Sequence, residues 1–137
     1  MPPLEGDARQ VIYLASPYGH PQHWVRVKRA RLAARATAHF IARGHQVISP
    51  IAHGHAVSLE DIEELITADQ WYDYGFRLLE QCNELWVLRL SGWQHSIGVQ
   101  AEIKLAADKG LPRKDIDPVD IGIKEEFSAR ANGQIRI

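Results

Sequence analysis

Short apolar runs that alternate with longer helix-forming segments are the feature that most constrains how this chain can fold. Residues 11–15, 46–51 and 84–90 have the length and composition of buried strands. The segments between and after them predict helices at about residues 24–43, 59–66, 71–81 and 96–109. Such alternation implies right-handed crossover connections and a parallel sheet covered by helices on both faces. We therefore predict an α/β fold.

The length of the chain suits a single domain. Its 137 residues are enough for one hydrophobic core, and two cores would each be small. Apolar residues make up 45% and charged residues 24%, which is ordinary for a globular protein and argues against wholesale disorder. We place the core of the domain at residues 11–112. In the extension, 113–137, the pattern is weaker: residues 111–121 can hold a fourth strand and 124–131 a short helix.

Charge, cysteine content and hydropathy exclude several classes of protein. The formal net charge of −1 argues against a dedicated nucleic-acid binder, which carries a large basic excess. No apolar run approaches the length of a membrane span, and residues 1–10 lack the apolar run of a signal peptide. The single Cys82 excludes an internal disulfide framework and fits a reducing compartment. We expect a cytoplasmic protein whose partner is a small molecule, with no nucleic acid and no membrane.

The loops after the three predicted strands hold the densest set of serine, tyrosine, histidine and tryptophan in the chain. In parallel sheets, ligands bind beyond the carboxyl ends of the strands. We therefore take Ser16, Tyr18, His53 and Trp93 as candidate substrate-binding residues. For Trp93 the alternative is a place in the core or at its rim. The loop histidines are poor evidence for a metal, because no cysteine or paired acid accompanies them, and we predict no metal and no cofactor.

Glu102 is the most informative single residue. On a helical wheel of residues 96–109, Gln100 and Lys104 mark the solvent face, and Glu102 lies nearly opposite. Helical side chains lean toward the N-terminus, so that this carboxyl would lie over Gly98, which has no side chain to block it. We predict an open site near the positive end of the helix dipole, with Gly98 in contact with the substrate. The alternative is a glutamate held by a local structural partner.

Two residues suggest an anion. Ser96 caps or precedes the Glu102 helix, where free backbone N–H groups favour a phosphate, although a plain helix cap explains it as well. Arg26 is the cation nearest the first loop, on a basic helix with no acidic residue among its cations. Either Arg26 holds a phosphate, or the acidic segment 60–64 compensates the basic helix.

Three segments together resemble a known enzyme superfamily. Tyr13-Leu-Ala-Ser-Pro-Tyr18, Ser49-Pro-Ile-Ala-His53 and the stretch from Leu88 to Glu102, with its Ser-Ile-Gly-Val-Gln-Ala-Glu segment, are similar to the nucleoside 2-deoxyribosyltransferase superfamily. That superfamily includes the 2′-deoxynucleoside 5′-phosphate N-hydrolases and a branch of small bacterial and phage proteins. The resemblance covers residues 11–112. It implies a flavodoxin-like sheet and a homo-oligomer, dimer or tetramer. It also implies N-glycosidic cleavage or base transfer on a deoxynucleoside or its 5′-monophosphate.

The resemblance also implies roles for individual residues. Glu102 matches the nucleophile, Tyr13 the tyrosine that orients it, and Ser96 the serine that contacts the nucleotide phosphate. The acidic residue expected before the third strand falls at Gly75 here. We therefore expect Asp73, or less directly Asp69, to serve as the general acid, with the Asp73 carboxyl about 5–6 Å from that of Glu102, in the same subunit or across an oligomer interface.

Two other classes of function remain open at this point. The absence of an acid at Gly75 favours a non-catalytic nucleotide-binding or sensing module that keeps the same cleft. A metal-dependent hydrolase that uses the histidine loops is the third hypothesis.

Overall fold

The computed structural model describes residues 5–7 and 9–125, which include four strands and four α-helices, with two consecutive helices between the second and third strands. The strands are β1 (Val11–Ala15), β2 (Gln46–Ile48), β3 (Glu84–Leu88) and β4 (Arg113–Ile116). The helices are α1 (His23–Ala42), α2 (Pro50–Glu60), α3 (Ala68–Glu80) and α4 (Ile97–Asp108). Short 3-10 turns occupy Trp93–His95 and Pro118–Ile121.

The strands form one sheet in the order β2-β1-β3-β4, and all three neighbouring pairs are parallel. The first two strands in the chain lie on one side of the sheet and the later two on the other, so the strand order reverses between β1 and β3. This is the arrangement of a flavodoxin-like fold. The predicted single-domain α/β class is confirmed.

The two faces of the sheet carry separate clusters of buried side chains. Successive residues of a strand point to opposite faces. Ile12 and Leu14 of β1 pack with α1, where Leu32, Ala36 and Phe40 are buried. The other β1 face, which includes Tyr13, packs with Leu79 of α3 and with Val99 and Ala106 of α4. The predicted cover of helices on both faces is confirmed, and Tyr13 lies on the same side of the sheet as α4.

The second strand is shorter than predicted, and a helix replaces the loop expected after it. The strand ends at Ile48 rather than at residue 51, because Ser49 and Pro50 begin α2. The Ser49 hydroxyl accepts a hydrogen bond from the backbone N–H of Ala52 at 3.2 Å. Proline suits the first helical position, since its missing N–H would have no partner there. The prediction that His53 lies in a loop is therefore wrong: it lies on α2.

The predicted helix at 59–66 is also wrong, because α2 ends at Glu60 and a loop follows. The carboxylate of Asp61 holds this loop by accepting hydrogen bonds from the backbone N–H groups of Leu65 at 3.0 Å and Ile66 at 2.8 Å. Thr67 then starts α3 with a reciprocal capping pair to Gln70.

The extension beyond residue 112 adds the fourth strand at the edge of the sheet. β4 lies inside the predicted range 111–121 and pairs with β3. The predicted helix at 124–131 falls, apart from its first two residues, outside the described residues. Within the described ranges, none of the helices has the length and apolar character that a membrane crossing requires.

Candidate active site

A cavity of about 510 Å³ lies beyond the carboxyl end of β1, bordered by α2, α3 and the first turns of α4. This is the position predicted from the sheet topology. The residues that line it are Tyr13, Ser16, Tyr18, Gly19, Pro50, Ile51, Gly54, His55, Ser58, Ala68, Trp71, Tyr72, Tyr74, Gly75, Phe76, His95, Ser96, Ile97, Gly98 and Glu102.

Glu102 is buried at this cavity, with only 9% of its surface exposed. Its carboxyl lies over the first turn of α4, and a Cβ built at Gly98 would be 4.0 Å from its Oε1 atom. Burial raises the pKa of this carboxyl from 4.5 to about 7, and a hydrogen bond from Tyr13 opposes part of that rise. The site therefore holds a carboxyl that changes between acid and carboxylate near neutral pH.

Tyr13 holds the Glu102 carboxyl from the sheet. It lies in the middle of β1 and is 2% exposed. Burial, and then the neighbouring Glu102 carboxylate, raises the pKa of the Tyr13 phenol above its ordinary value. The hydroxyl therefore stays protonated and donates its hydrogen bond to Glu102.

The start of α4 and the end of β1 bring two serines to the cavity. Ser96 is the N-cap of α4, and its Oγ atom accepts a hydrogen bond from the backbone N–H of Val99 at 3.2 Å. A helix start of this kind attracts anions as well as being capped. Ser16 follows β1, and its Oγ atom is buried without a hydrogen-bond partner among the described residues. A buried hydroxyl without a partner is rare and fits a polar group of a ligand.

One stripe of α3 supplies the aromatic wall of the cavity. Trp71, Tyr72, Gly75 and Phe76 recur at the spacing of one helical face, and all line the cavity. The rings of Tyr72 and Phe76 stack at an interplanar angle of 22°. A wall of this composition suits a flat, largely apolar ligand group.

From α2, the cavity receives His55 rather than His53. His55 Nδ1 and the Tyr18 hydroxyl share a hydrogen bond of 2.8 Å, and both side chains line the cavity. His53 is exposed and outside the cavity lining, where it shares a hydrogen bond of 3.2 Å with the Tyr74 hydroxyl. The candidate from this part of the chain thus lies two residues further along than predicted.

The two candidate acids are not in the cavity. Asp69 and Asp73 are exposed, and neither lines it. The Asp73 carboxylate forms an ion pair of 3.1 Å with Arg77, and its side chain is 61% exposed. The position that faces the cavity is Gly75, where an added Cβ would lie 3.1 Å from the Tyr13 hydroxyl.

Arg26 and Trp93 also lie away from the cavity lining. The Arg26 guanidinium donates a hydrogen bond to the backbone carbonyl of His20. This contact gives Arg26 a structural partner in place of the predicted phosphate. Trp93 packs against the cluster of buried residues between the sheet and α4, with the Arg89 guanidinium 4.9 Å from its ring. This is the core or rim position given above as the alternative.

His55 and the aromatic stripe are not among the site residues predicted from the sequence. Ala68, Trp71, Tyr72, Gly75 and Phe76 follow an i, i+3, i+4, i+7, i+8 pattern, which marks one helical face and could have identified the wall. Within the described residues, no group of three or more histidine, cysteine or acidic side chains could hold a metal ion. The metal-dependent hypothesis therefore gains no support from the geometry.

The sequence was compared with curated proteins and with models of protein families. No curated protein matches the sequence. Residues 10–114 match a family described as domain of unknown function DUF1937. Because this match covers well over half of the chain, the protein belongs to the DUF1937 family.

Proposed function

We propose that the protein cleaves the N-glycosidic bond of a deoxynucleoside or deoxynucleoside 5′-monophosphate, or transfers its base, with Glu102 as the nucleophile. The observation that carries the proposal is the buried Glu102 carboxyl, which faces the cavity and accepts a hydrogen bond from Tyr13. A carboxyl is seldom buried without a compensating role.

The shape and chemistry of the cavity support a nucleoside-sized ligand. A volume of about 510 Å³ lies in the usual range for small-molecule sites. The α3 stripe offers a wall for a flat base, and the hydroxyls of Ser16 and Ser96 offer polar contacts for a sugar or a phosphate. The N-terminus of α4 favours the charge of a 5′-phosphate.

The resemblance to nucleoside 2-deoxyribosyltransferases supports the same chemistry. Its most specific segment begins at Ser96 and ends at Glu102, and both residues line the cavity together with Tyr13. The activity and the residue roles that this superfamily implies are therefore part of the proposed function. The proposed reaction uses no cofactor.

The reaction would proceed by double displacement. The Glu102 carboxylate attacks C1′ of the sugar and forms a glycosyl ester while the base departs with a proton. Water then attacks C1′ to give a hydrolase product, or a second base attacks to give a transferase product. Tyr13 holds the carboxyl in place and stays protonated throughout.

A specific observation favours a second candidate, a nucleotide-binding or sensing module without turnover. Gly75 stands at the register of the expected acid, and the Asp73 carboxylate forms an ion pair with Arg77 outside the cavity lining. Such a module would bind nucleotides through the same cavity.

One assay separates the two candidates. The purified protein is incubated with each common deoxynucleoside and its 5′-monophosphate, and released base is measured by chromatography, with Glu102→Gln as the matched control. Released base with the wild type and none with Glu102→Gln supports the enzyme. Binding detected by calorimetry without released base supports the module, and neither binding nor release contradicts both.

A further inference from the structure

Tyr18 and His55 form a hydrogen-bonded pair at the cavity that the proposed mechanism leaves without a role. Tyr18 comes from the loop after β1 and His55 from α2, so that two separate elements bring them together. Their hydrogen bond is 2.8 Å long, and their rings meet edge to face with centroids 5.7 Å apart. Both side chains line the cavity with Glu102.

The reaction needs a proton donor, and the carboxyl groups do not supply one. Among the described residues that line the cavity, Glu102 is the only one with a carboxyl group, and it is the nucleophile. A purine or pyrimidine base departs poorly as an anion, so it must receive a proton as the glycosidic bond breaks. Tyr18 and His55 can both carry a proton that is exchangeable at neutral pH.

We propose that the Tyr18–His55 pair is the general acid of the site and protonates the departing base. This inference rests on the proposed function. It gives the Tyr18–His55 pair the role of general acid that the sequence predicts for Asp73. Tyr18 is then a catalytic residue that touches the base, and His55 is a positioning residue that acts through Tyr18.

Protons and electron pairs balance over the two steps of the proposed reaction. In the first step the Tyr18 O–H proton moves to a base nitrogen or oxygen, the C1′–N electron pair goes to the base, and a bond forms between C1′ and a Glu102 oxygen. The His55 N–H donates to the phenolate left on Tyr18. In the second step water attacks C1′, its proton returns to Tyr18, and the C1′–O electron pair returns to the Glu102 carboxylate.

The surroundings of His55 suit this positioning role. Burial, together with the neighbouring His23 and Arg26, lowers the pKa of the His55 ring below its ordinary value. A neutral ring keeps one N–H to donate and does not itself compete as the acid.

The test compares two leaving groups. One substrate is the deoxynucleoside monophosphate that the wild type cleaves fastest. The other is a 2-deoxyribosyl pyridinium 5′-phosphate, whose pyridine leaves as a neutral molecule and needs no proton. We expect Tyr18→Phe to lower kcat on the first substrate by about a hundredfold or more and on the second by less than about tenfold, in line with general acid catalysis. His55→Ala should show the same difference between substrates with a smaller loss.

Controls separate this inference from the proposed function. Tyr18→Phe keeps the ring and its edge contact, and a thermal melt verifies that each variant folds. His39→Ala, on α1, should change neither rate. Equal losses on both substrates, or no loss on either, would overturn the inference while the proposed function stands. A wild type that acts on neither substrate, nor on any common deoxynucleoside with or without an acceptor base, would overturn the proposed function itself.

Discussion

The hydroxyl of Tyr13 donates a hydrogen bond to the carboxyl of Glu102, and this contact joins β1 to α4. Two opposing effects act on Glu102 at this contact. Burial raises the pKa of the carboxyl to about 7, whereas the Tyr13 hydrogen bond lowers it. The charge state of the proposed nucleophile therefore depends on both the apolar surroundings and one phenol.

The first prediction concerns the pH dependence of turnover. Only the carboxylate form of Glu102 can attack C1′, so kcat/KM should rise with pH and level off above the pKa of about 7. Tyr13→Phe removes the hydrogen bond that lowers this pKa, and the midpoint should move to higher pH. Steady-state rates from pH 5 to pH 9 measure both curves. A profile that falls over the range where Glu102 ionises would contradict the assignment.

The second prediction concerns stability and applies even if the protein has no turnover. The pKa of Glu102 is 4.5 unperturbed and about 7 in the folded protein, so the folded state binds more protons between these values. Stability is then greatest below pH 4.5 with respect to this group and is lost as pH rises through 7. At about 1.4 kcal/mol per pKa unit, the loss amounts to about 3 kcal/mol.

Glu102→Gln measures this loss directly, because glutamine does not ionise. The free energy of unfolding of Glu102→Gln, minus that of the wild type, should increase by about 3 kcal/mol from pH 4 to pH 8. Denaturant titrations at several pH values give this difference, with Glu60→Gln, an exposed carboxyl, as the matched control. A difference that does not change with pH would mean that Glu102 ionises as freely as in an unfolded chain.

Much of the fold could be predicted because strand and helix periodicities are local. The alternation of apolar runs and helix formers determined the α/β class, and a helical wheel showed that Glu102 faces the sheet over Gly98. The start of α2 is harder to predict: Ser49 and Pro50 are a helix-start signature, but a proline after an apolar run is also typical of the end of a strand. Because α2 begins at Pro50, His55 rather than the predicted His53 lines the cavity.

The place of Asp73 outside the cavity follows from the rotation of α3, which the spacing of Trp71, Gly75 and Phe76 already indicates in the sequence. Residues two apart in a helix are related by a rotation of about 200° about the helix axis, so their side chains lie on nearly opposite faces. Asp73 is near Gly75 in the sequence, but when Gly75 faces the cavity, Asp73 faces solvent and Arg77. The Tyr18–His55 contact joins two elements distant in the sequence, and no local pattern specifies it.

The third prediction concerns Gly75, whose missing side chain leaves room for the Tyr13 hydroxyl. Alanine in a helix interior is favoured over glycine by about 0.5–1 kcal/mol. At Gly75 the new Cβ would lie 3.1 Å from the Tyr13 hydroxyl, closer than an ordinary contact, and Tyr13 is buried with little room to move. Gly75→Ala should therefore gain no stability, and turnover should fall about tenfold or more as Tyr13 shifts away from Glu102.

Gly54→Ala on α2 is the matched control for stability. Its Cβ would meet only the Trp71 ring, at an ordinary 3.5 Å, so the full helix gain of about 0.5–1 kcal/mol is expected. Thermal unfolding of the two variants measures the difference. Equal stabilisation in both would show that Tyr13 adapts to the added methyl group at no cost.

The fourth prediction concerns Asp73, where the sequence pattern and the structure lead to different results. If Asp73 were the general acid, Asp73→Asn would lower the rate by two or more orders of magnitude. Its carboxylate, however, is 61% exposed, forms an ion pair with Arg77 and lies outside the cavity lining. We therefore expect Asp73→Asn to change kcat by less than about threefold, similar to Arg77→Gln, which removes the other partner of the same exposed ion pair. A loss of about a hundredfold in Asp73→Asn alone would show that a second copy of the chain or another conformation brings this carboxyl to Glu102. It would also transfer the role of the acid from Tyr18 and His55 to Asp73.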